Sequence, residues 1–374
     1  MARTTRPCAT GRGSTEPVVS RILVVNAGST SVKLSAVDET GASEAVDSLE
    51  RAPADVVAVA HRIVHGGARY RDPIVVDDQV ESTLAELREL APLHNPPAFA
   101  ALNDARRALP GVPHVAVFDT EFHATIPDEA AEYAVPRRWR QEWGIRRYGF
   151  QGLSVQWASE RVPVPRLVVC HLGGGCSVTA VRDGRSVETT MGYSPLEGVP
   201  MATRSGSIDV EIVLHLLRTG KLGLDEVERA LESESGLLGL SGTTSRVEEL
   251  ELSDEPAARL ALGVFAHRVA AAVASTAVSL GGIDAIVFTA GVGEGSSRVR
   301  ADVCGRLAFL GVELDADANA AAQPDVDVAV AQSPVRVVVI HAREDVVAAQ
   351  AVRTLLGLPA QATIEPFGVV TRRM

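Results

Sequence analysis

RILVVNAGSTSVKLS, residues 21–35, is the stretch from which the fold is read. Residues 22–25 are an apolar run of strand length. The run breaks into Asn26-Ala27-Gly28-Ser29-Thr30, small residues that bring backbone and hydroxyls close together. Residues 31–37 then alternate polar and apolar, as a second strand does. Two strands joined by a hydroxyl-rich turn make a cradle for a phosphate, with backbone N–H groups and hydroxyls around the oxygens and Lys33 supplying charge. In isolation an ordinary hairpin reads the same way. The Walker spacing G-x-x-x-x-G-K-[ST] is absent from this stretch. Lys33 and Lys221 are the only lysines; every other basic residue is Arg.

The theme returns twice downstream. Residues 166–170 read as a buried strand that breaks into His171-Leu172-Gly173-Gly174-Gly175-Cys176-Ser177 and resumes over 178–181. Residues 283–289 read as a strand followed by the glycine loop Ala290-Gly291-Val292-Gly293-Glu294-Gly295-Ser296 and a helix from Ser297. Strand, glycine loop, helix suits an anion or a nucleotide, although a lone G-x-G-x-G is a weak signal. Between these, a strand over 56–60 ends in polar His61-Arg62 before Gly66-Gly67, and a strand over 114–118 ends in Asp119. Helical spacing covers 81–90, 97–109, 152–161, 208–218, 224–234 and 256–280. A strand over 335–340 and a helix over 344–356 carry the chain back to its first part. The reading is an α/β protein of two similar ribonuclease-H-like halves, the arrangement of actin, Hsp70 and sugar kinases, with a nucleotide in the interdomain cleft. The expected division is 1–20 as a disordered extension, 21–149 plus 346–374 as the first domain, and 150–345 as the second, nucleotide-binding domain.

With 374 residues the chain can build two cores. A formal charge of -11 without a basic stripe excludes a nucleic-acid binder, while still allowing a few arginines to make a local anion site. The four cysteines form no C-x-x-C and read as reduced, buried thiols of a cytoplasmic protein. No H-E-x-x-H or zinc spacing occurs. The first twenty residues lack the apolar core of a secretory signal. Residues 260–280 are apolar but interrupted by His267 and Arg268, and read as a buried helix with no membrane role.

Seven motifs, NAGSTSVK, HRIVHGG, FDTEFH, RRYGF, TTMGYSPLEG, TRSG and FTAGVGE, stand in the order seen in acetate kinases, which the chain resembles from about residue 22 to its last helix. The resemblance implies reversible phosphoryl transfer between ATP and acetate, giving acetyl phosphate and ADP. It implies that Arg62 and Arg204 are the active-site arginines, Asp119 the catalytic aspartate, and His171 the stabiliser of the transferring phosphoryl group. Ser29, Ser31 and Lys33 match the phosphate-contacting turn. Gly173, Gly174, Gly175, Gly291, Val292, Gly293, Glu294 and Gly295 match the nucleotide loops. Val64, Leu93, Phe150 and Pro195 match the acyl pocket that works with Arg62. Asn26 and Glu344 match the pair associated with Mg²⁺ (or Mn²⁺), with Asp345 a competitor for the second place. The resemblance also implies a cytoplasmic homodimer.

The chain departs from that pattern at several positions. Gln151 stands where the family has histidine, a neutral donor in a catalytic place. Gly174, Cys176 and Gly295 replace other residues in the nucleotide loops. Ser245-Arg246-Val247-Glu248 replaces a pattern flanking the adenosine. These departures leave open a propionate-type acyl kinase, a kinase with another phosphoryl donor, or a ligand-binding paralogue without turnover.

Overall fold

The computed structural model describes residues 20–27, 32–87, 95–362 and 365–368. Ser29, Ser31, Leu93 and residues 1–19, on which some expectations rested, lie outside them. The first sheet holds β1 (Arg21–Ala27), β2 (Val32–Val37), β3 (Ser43–Val46), β4 (Val56–Ile63), β5 (Ile74–Val75) and β6 (His114–Phe118). The second holds β7 (Arg166–Leu172), β8 (Cys176–Arg182), β9 (Arg185–Thr189), β10 (Ala285–Thr289), β11 (Val326–Asp327) and β12 (Arg336–Val339). Their spatial orders are β3-β2-β1-β4-β6-β5 and β9-β8-β7-β10-β12-β11. In each sheet three parallel strands are extended on one side by an antiparallel meander and closed on the other by a two-residue antiparallel edge. The duplication read from the strand–turn–strand repeats is therefore a duplicated topology.

β6 and β10 are buried at every position because helices cover both faces, which is why they read as unbroken apolar runs. The Asn95–Ala108 helix lies on one face of the first sheet and the Pro256–Leu280 helix on one face of the second. The latter is long and apolar enough to cross a membrane by length and composition, but half of its most apolar window is buried and it packs on β7, β8 and β9. The two remaining faces meet through Gly152–Arg161, which packs on β7, and Glu344–Leu356, which packs on β1, β4 and β6. These two helices also pack on each other, so one apolar core runs from Ile22 and Ala60 through Val155 and Val347 to Val169 and Val287.

Several expectations are corrected. β4 continues through His61 and Arg62 to Ile63, so Arg62 stands inside the strand. The glycine stretch after β10 is itself a helix, Ala290–Gly295, and Ser296 caps a second helix, Ser297–Arg306, by accepting from the Val299 N–H. The helix expected at 81–90 begins at Asp78, capped by the Asp77 carboxylate. β3 and the edge strands β5 and β11 went unread.

Candidate active site

The parallel strands of the first sheet end together, and their register decides what meets there. Asn26 on β1 lies beside Arg62 on β4 and opposite Lys33 on β2. Asp119 follows β6 directly, its N–H donating to Ile63 O at 3.0 Å. In the second sheet His171 is the last residue but one of β7, and Ala290 follows β10. Carboxyl ends of parallel strands are where open α/β sheets bind ligands. Here the two sets line one cleft of about 550 Å³, together with Glu344 from the first turn of the returning helix.

Arg62 is the hub of the first half. Its Nε and one terminal nitrogen donate to the two Asp119 oxygens, both at 2.7 Å. The other terminal nitrogen donates to Asn26 Oδ1 and approaches Glu344 Oε2, both at 3.0 Å. Burial works against this charge, but Asp119 and Glu344 outweigh it and raise the Arg62 pKa above its ordinary value. Burial likewise pushes the Asp119 carboxyl up, against the pull of Arg62. Two hard oxygen donors thus converge on one cationic nitrogen. That is the donor set a Mg²⁺ ion takes when most of its remaining ligands are water and phosphate. Among the described residues no cluster of three His, Cys, Asp or Glu side chains forms an all-protein metal site.

From the second half come Gln151, His171, the glycine turn and Arg204. Gln151 has left-handed backbone (φ 61°) just before the Gly152–Arg161 helix, and Ser177 Oγ donates to its Oε1 at 2.6 Å. His171 Nδ1 is 2.8 Å from Ser154 Oγ, and burial first, Arg62 second, push the imidazole down to about 4, so it is neutral at pH 7. Gly175 lies close to both Gln151 and Arg204: an added Cβ would lie 3.2 Å from Gln151 Nε2 and 3.4 Å from a terminal nitrogen of Arg204. Arg204 Nε sits 3.1 Å from Glu232 Oε2, whose carboxyl is raised by burial and held back by Arg204. The arginines expected from the sequence therefore reach the same cleft from opposite halves. Val64, Phe150 and Pro195 are apolar residues of its wall.

Val292, Gly293, Glu294 and Gly295 do not line the cleft; of the third glycine motif only Ala290 and Gly291 do. Glu294 is a strut. Its Oε1 accepts from the Ala290 and Ala342 N–H groups at 2.9 and 3.0 Å, and its Oε2 meets His341 Nδ1 at 2.7 Å. Nor do residues 245–248 line it; Arg246 pairs with Glu249 at 3.3 Å on the surface. Asp345 turns away, its Oδ2 accepting from Ser43 Oγ, and so leaves the cleft to Glu344. Sequence reasoning missed Met191, Ala202 and Thr203, which also line the cleft. Met191 stood inside the quoted TTMGYSPLEG motif, so position was its available signal. A separate cavity of about 380 Å³ holds Asp78 and Glu81, both already paired with Arg106, and none of the residues above.

A model of the Acetokinase family matches residues 43–350. An acetate kinase of Nostoc punctiforme is 43% identical over 321 residues, covering 83% of this chain and 78% of that one. An acetate kinase of a Synechococcus species is 45% identical over 314 residues, covering 81% and 77%. Among solved structures, a propionate kinase of Francisella tularensis superposes with a TM-score of 0.82 at 32% identity, covering 89% of this chain and 98% of that one. Porphyromonas gingivalis acetate kinase gives 0.80 at 28%, covering 90% and 100%.

Proposed function

The chain belongs to the acetokinase family, and from that premise we propose that it catalyses reversible phosphoryl transfer between ATP and acetate, giving acetyl phosphate and ADP. The observation that carries the reading is the meeting of Arg62 and Arg204, from different halves, in one cleft beside Asp119, His171 and Gln151. In the forward direction an acetate oxygen bonds to the γ-phosphorus as the bond from that phosphorus to the β,γ-bridging oxygen breaks, and the bridging electrons leave with ADP. The transition state is loose, with charge spread over three equatorial oxygens, so the protein's work is positioning and electrostatics.

Each half has its share. Val64, Leu93, Phe150 and Pro195 receive the methyl group, and Arg62, oriented by Asp119, draws in the carboxylate. Arg204, His171 and Gln151 donate to the phosphoryl oxygens. Ser29, Ser31, Lys33 and the bare backbones of Gly173, Gly174, Gly175 and Gly291 approach the nucleotide phosphates, with Val292, Gly293, Glu294 and Gly295 as the frame behind them. Asn26 and Glu344 fit Mg²⁺ or Mn²⁺, which, when bound with the nucleotide, neutralises β- and γ-phosphate charge. The same reading divides the chain into 21–149 with 346–374 and 150–345; Glu344–Leu356 is one helix, so its first turn goes with it to the first domain. It also makes the protein a cytoplasmic homodimer with no nucleic-acid or membrane partner. The surface that supports a dimer is Val210–Arg218, a helix without a buried residue that exposes Val210, Ile212 and Leu214. Sedimentation at micromolar concentration reads that part, and a monomer rules it out.

Trapping acyl phosphate as the hydroxamate tests the chemistry. Acetate with ATP should give product, and Arg204→Ala should lose at least about 100-fold in kcat, as expected when a transition-state donor is removed. A propionate arm is needed because one methylene in an apolar pocket is worth only about 1–3 kcal/mol. GTP and pyrophosphate arms are needed because Ser245-Arg246-Val247-Glu248 replaces the pattern that flanks the adenosine in the family. If wild type and Arg204→Ala are equally inactive with every pair of substrates, the enzyme reading fails.

A further inference from the structure

Two buried hydroxyls stand behind the two neutral donors of the cleft, and they are arranged crosswise. His171 on β7 and Ser177 on β8 are directly opposite partners in the antiparallel ladder, so their side chains share one face of the sheet. Gln151 and Ser154 share the opening turn of the Gly152–Arg161 helix, which packs on that sheet. The strand serine holds the helix residue, Ser177 Oγ donating to Gln151 Oε1 at 2.6 Å. The helix serine holds the strand residue, with Ser154 Oγ 2.8 Å from His171 Nδ1. Both serines have zero exposure.

We propose that Ser177 is a positioning residue of the phosphoryl-transfer site, fixing which end of the Gln151 amide faces the cleft, while Ser154 holds the His171 ring at Nδ1. The proposal rests on the phosphoryl-transfer reading and deepens it. An amide is ambivalent, with a donor end and an acceptor end of nearly equal size. Facing the cleft with Oε1, Gln151 would offer a carbonyl dipole to an anion and would repel it. A hydroxyl donating to Oε1 removes that choice, because the –NH₂ must then point the other way. That other way is toward Gly175 and Arg204, where the amide nitrogen and a guanidinium nitrogen flank one bare α-carbon. The left-handed backbone of Gln151 fixes the direction from which its side chain starts. The Ser154 contact at 2.8 Å engages His171 through Nδ1 and so holds the ring from one of its two nitrogens. Each serine touches its donor and no reacting atom.

A kinetic double-mutant cycle tests this on the full chain. Ser177→Ala should lower kcat by about 10-fold or more, less than outright removal of a transition-state donor, and leave both KM values within about 2-fold. Ser177→Thr, which keeps the hydroxyl, should restore most of the rate. In a Gln151→Ala background, Ser177→Ala should cost less than about 2-fold, because it acts only through that amide. If Ser177→Ala does not fold, Ser177→Cys, nearly isosteric and a weak donor, takes its place with the same expectations. A wild-type kcat in the substituted protein, or a penalty that persists in full without Gln151, overturns the proposal while the functional reading stands. An inactive wild type overturns both.

Discussion

Asp119 gives both oxygens to Arg62 while only 1% of its surface meets solvent, so neither residue can be altered alone without exposing the other's charge to a dry setting. Asp119→Asn should therefore act twice. It should destabilise the fold by on the order of 3 kcal/mol, the lower end for breaking a buried pair, because Glu344 still partners Arg62. It should also lower kcat by about 100-fold or more, since the guanidinium that meets the acyl carboxylate loses its orientation. Urea unfolding and the hydroxamate rate read the two effects, and a variant as stable and as fast as wild type would deny the pair both roles. At this scale the site was legible wherever an apolar run broke into chemistry. Asn26, Arg62 and His171 are each the last residue but one of a buried strand and Asp119 directly follows another, and that closeness to a strand end is visible in one dimension. Ser154, Ser177 and Glu232 were not legible, because a side chain that acts by touching another across the fold leaves no local pattern.

Ala290–Gly295 is the element whose existence most contradicts local propensity. Three of its six residues are glycine, each costing about 1 kcal/mol relative to alanine in a helix interior. Tertiary capping offsets that cost. Arg300, 1% exposed, donates from one terminal nitrogen to Gly293 O and Glu294 O at 2.9 and 2.7 Å, and binds Asn319 through its other nitrogens. At the other end the Glu294 carboxylate accepts from the Ala290 N–H. Arg300→Met should leave several buried carbonyls unpaired, at about 1–3 kcal/mol each, and so cost about 3 kcal/mol or more in denaturant unfolding. Arg300→Lys should not restore it, because one ammonium cannot span acceptors held in a planar fork. The KM for nucleotide should rise more than the KM for acetate; equal stability of the Met variant would remove the clamp from the account. The same contest explains what was legible among elements. Gly152–Arg161, Pro256–Leu280 and Glu344–Leu356 carry their own helical spacing and end where the sequence says they end. The glycine helix exists through Arg300 and Glu294, and the two-residue edges β5 and β11 are too short to show a period.

For the whole molecule, the repeated strand–turn–strand announced two halves, but nothing local said that Gly152–Arg161 and Glu344–Leu356 would fuse them into one core. Acid should reveal how that core and the cleft above it are built. Burial, the leading cause in each case, pushes His61 down to about 3 and His65, His123 and His171 to about 4. In the unfolded chain each titrates near 6.5. Their folded values are depressed, so between those limits the unfolded chain binds protons that the native state refuses. The stability they permit is complete above about pH 6.5 and is lost as pH falls. Glu121 works the other way: burial raises its carboxyl to about 7 from 4.5, so it favours the fold at low pH. Burial raises Asp119, Glu160 and Glu232 in the same sense as Glu121 and lowers His114 with the other imidazoles, so the carboxyls offset part of the imidazole effect. Urea midpoints measured from pH 7.5 down to 5 at constant ionic strength should fall below about 6.5. A flat profile would mean that these imidazoles are hydrated in the native protein, and His171 would then meet the phosphoryl group as a titrating cation and not as a neutral donor.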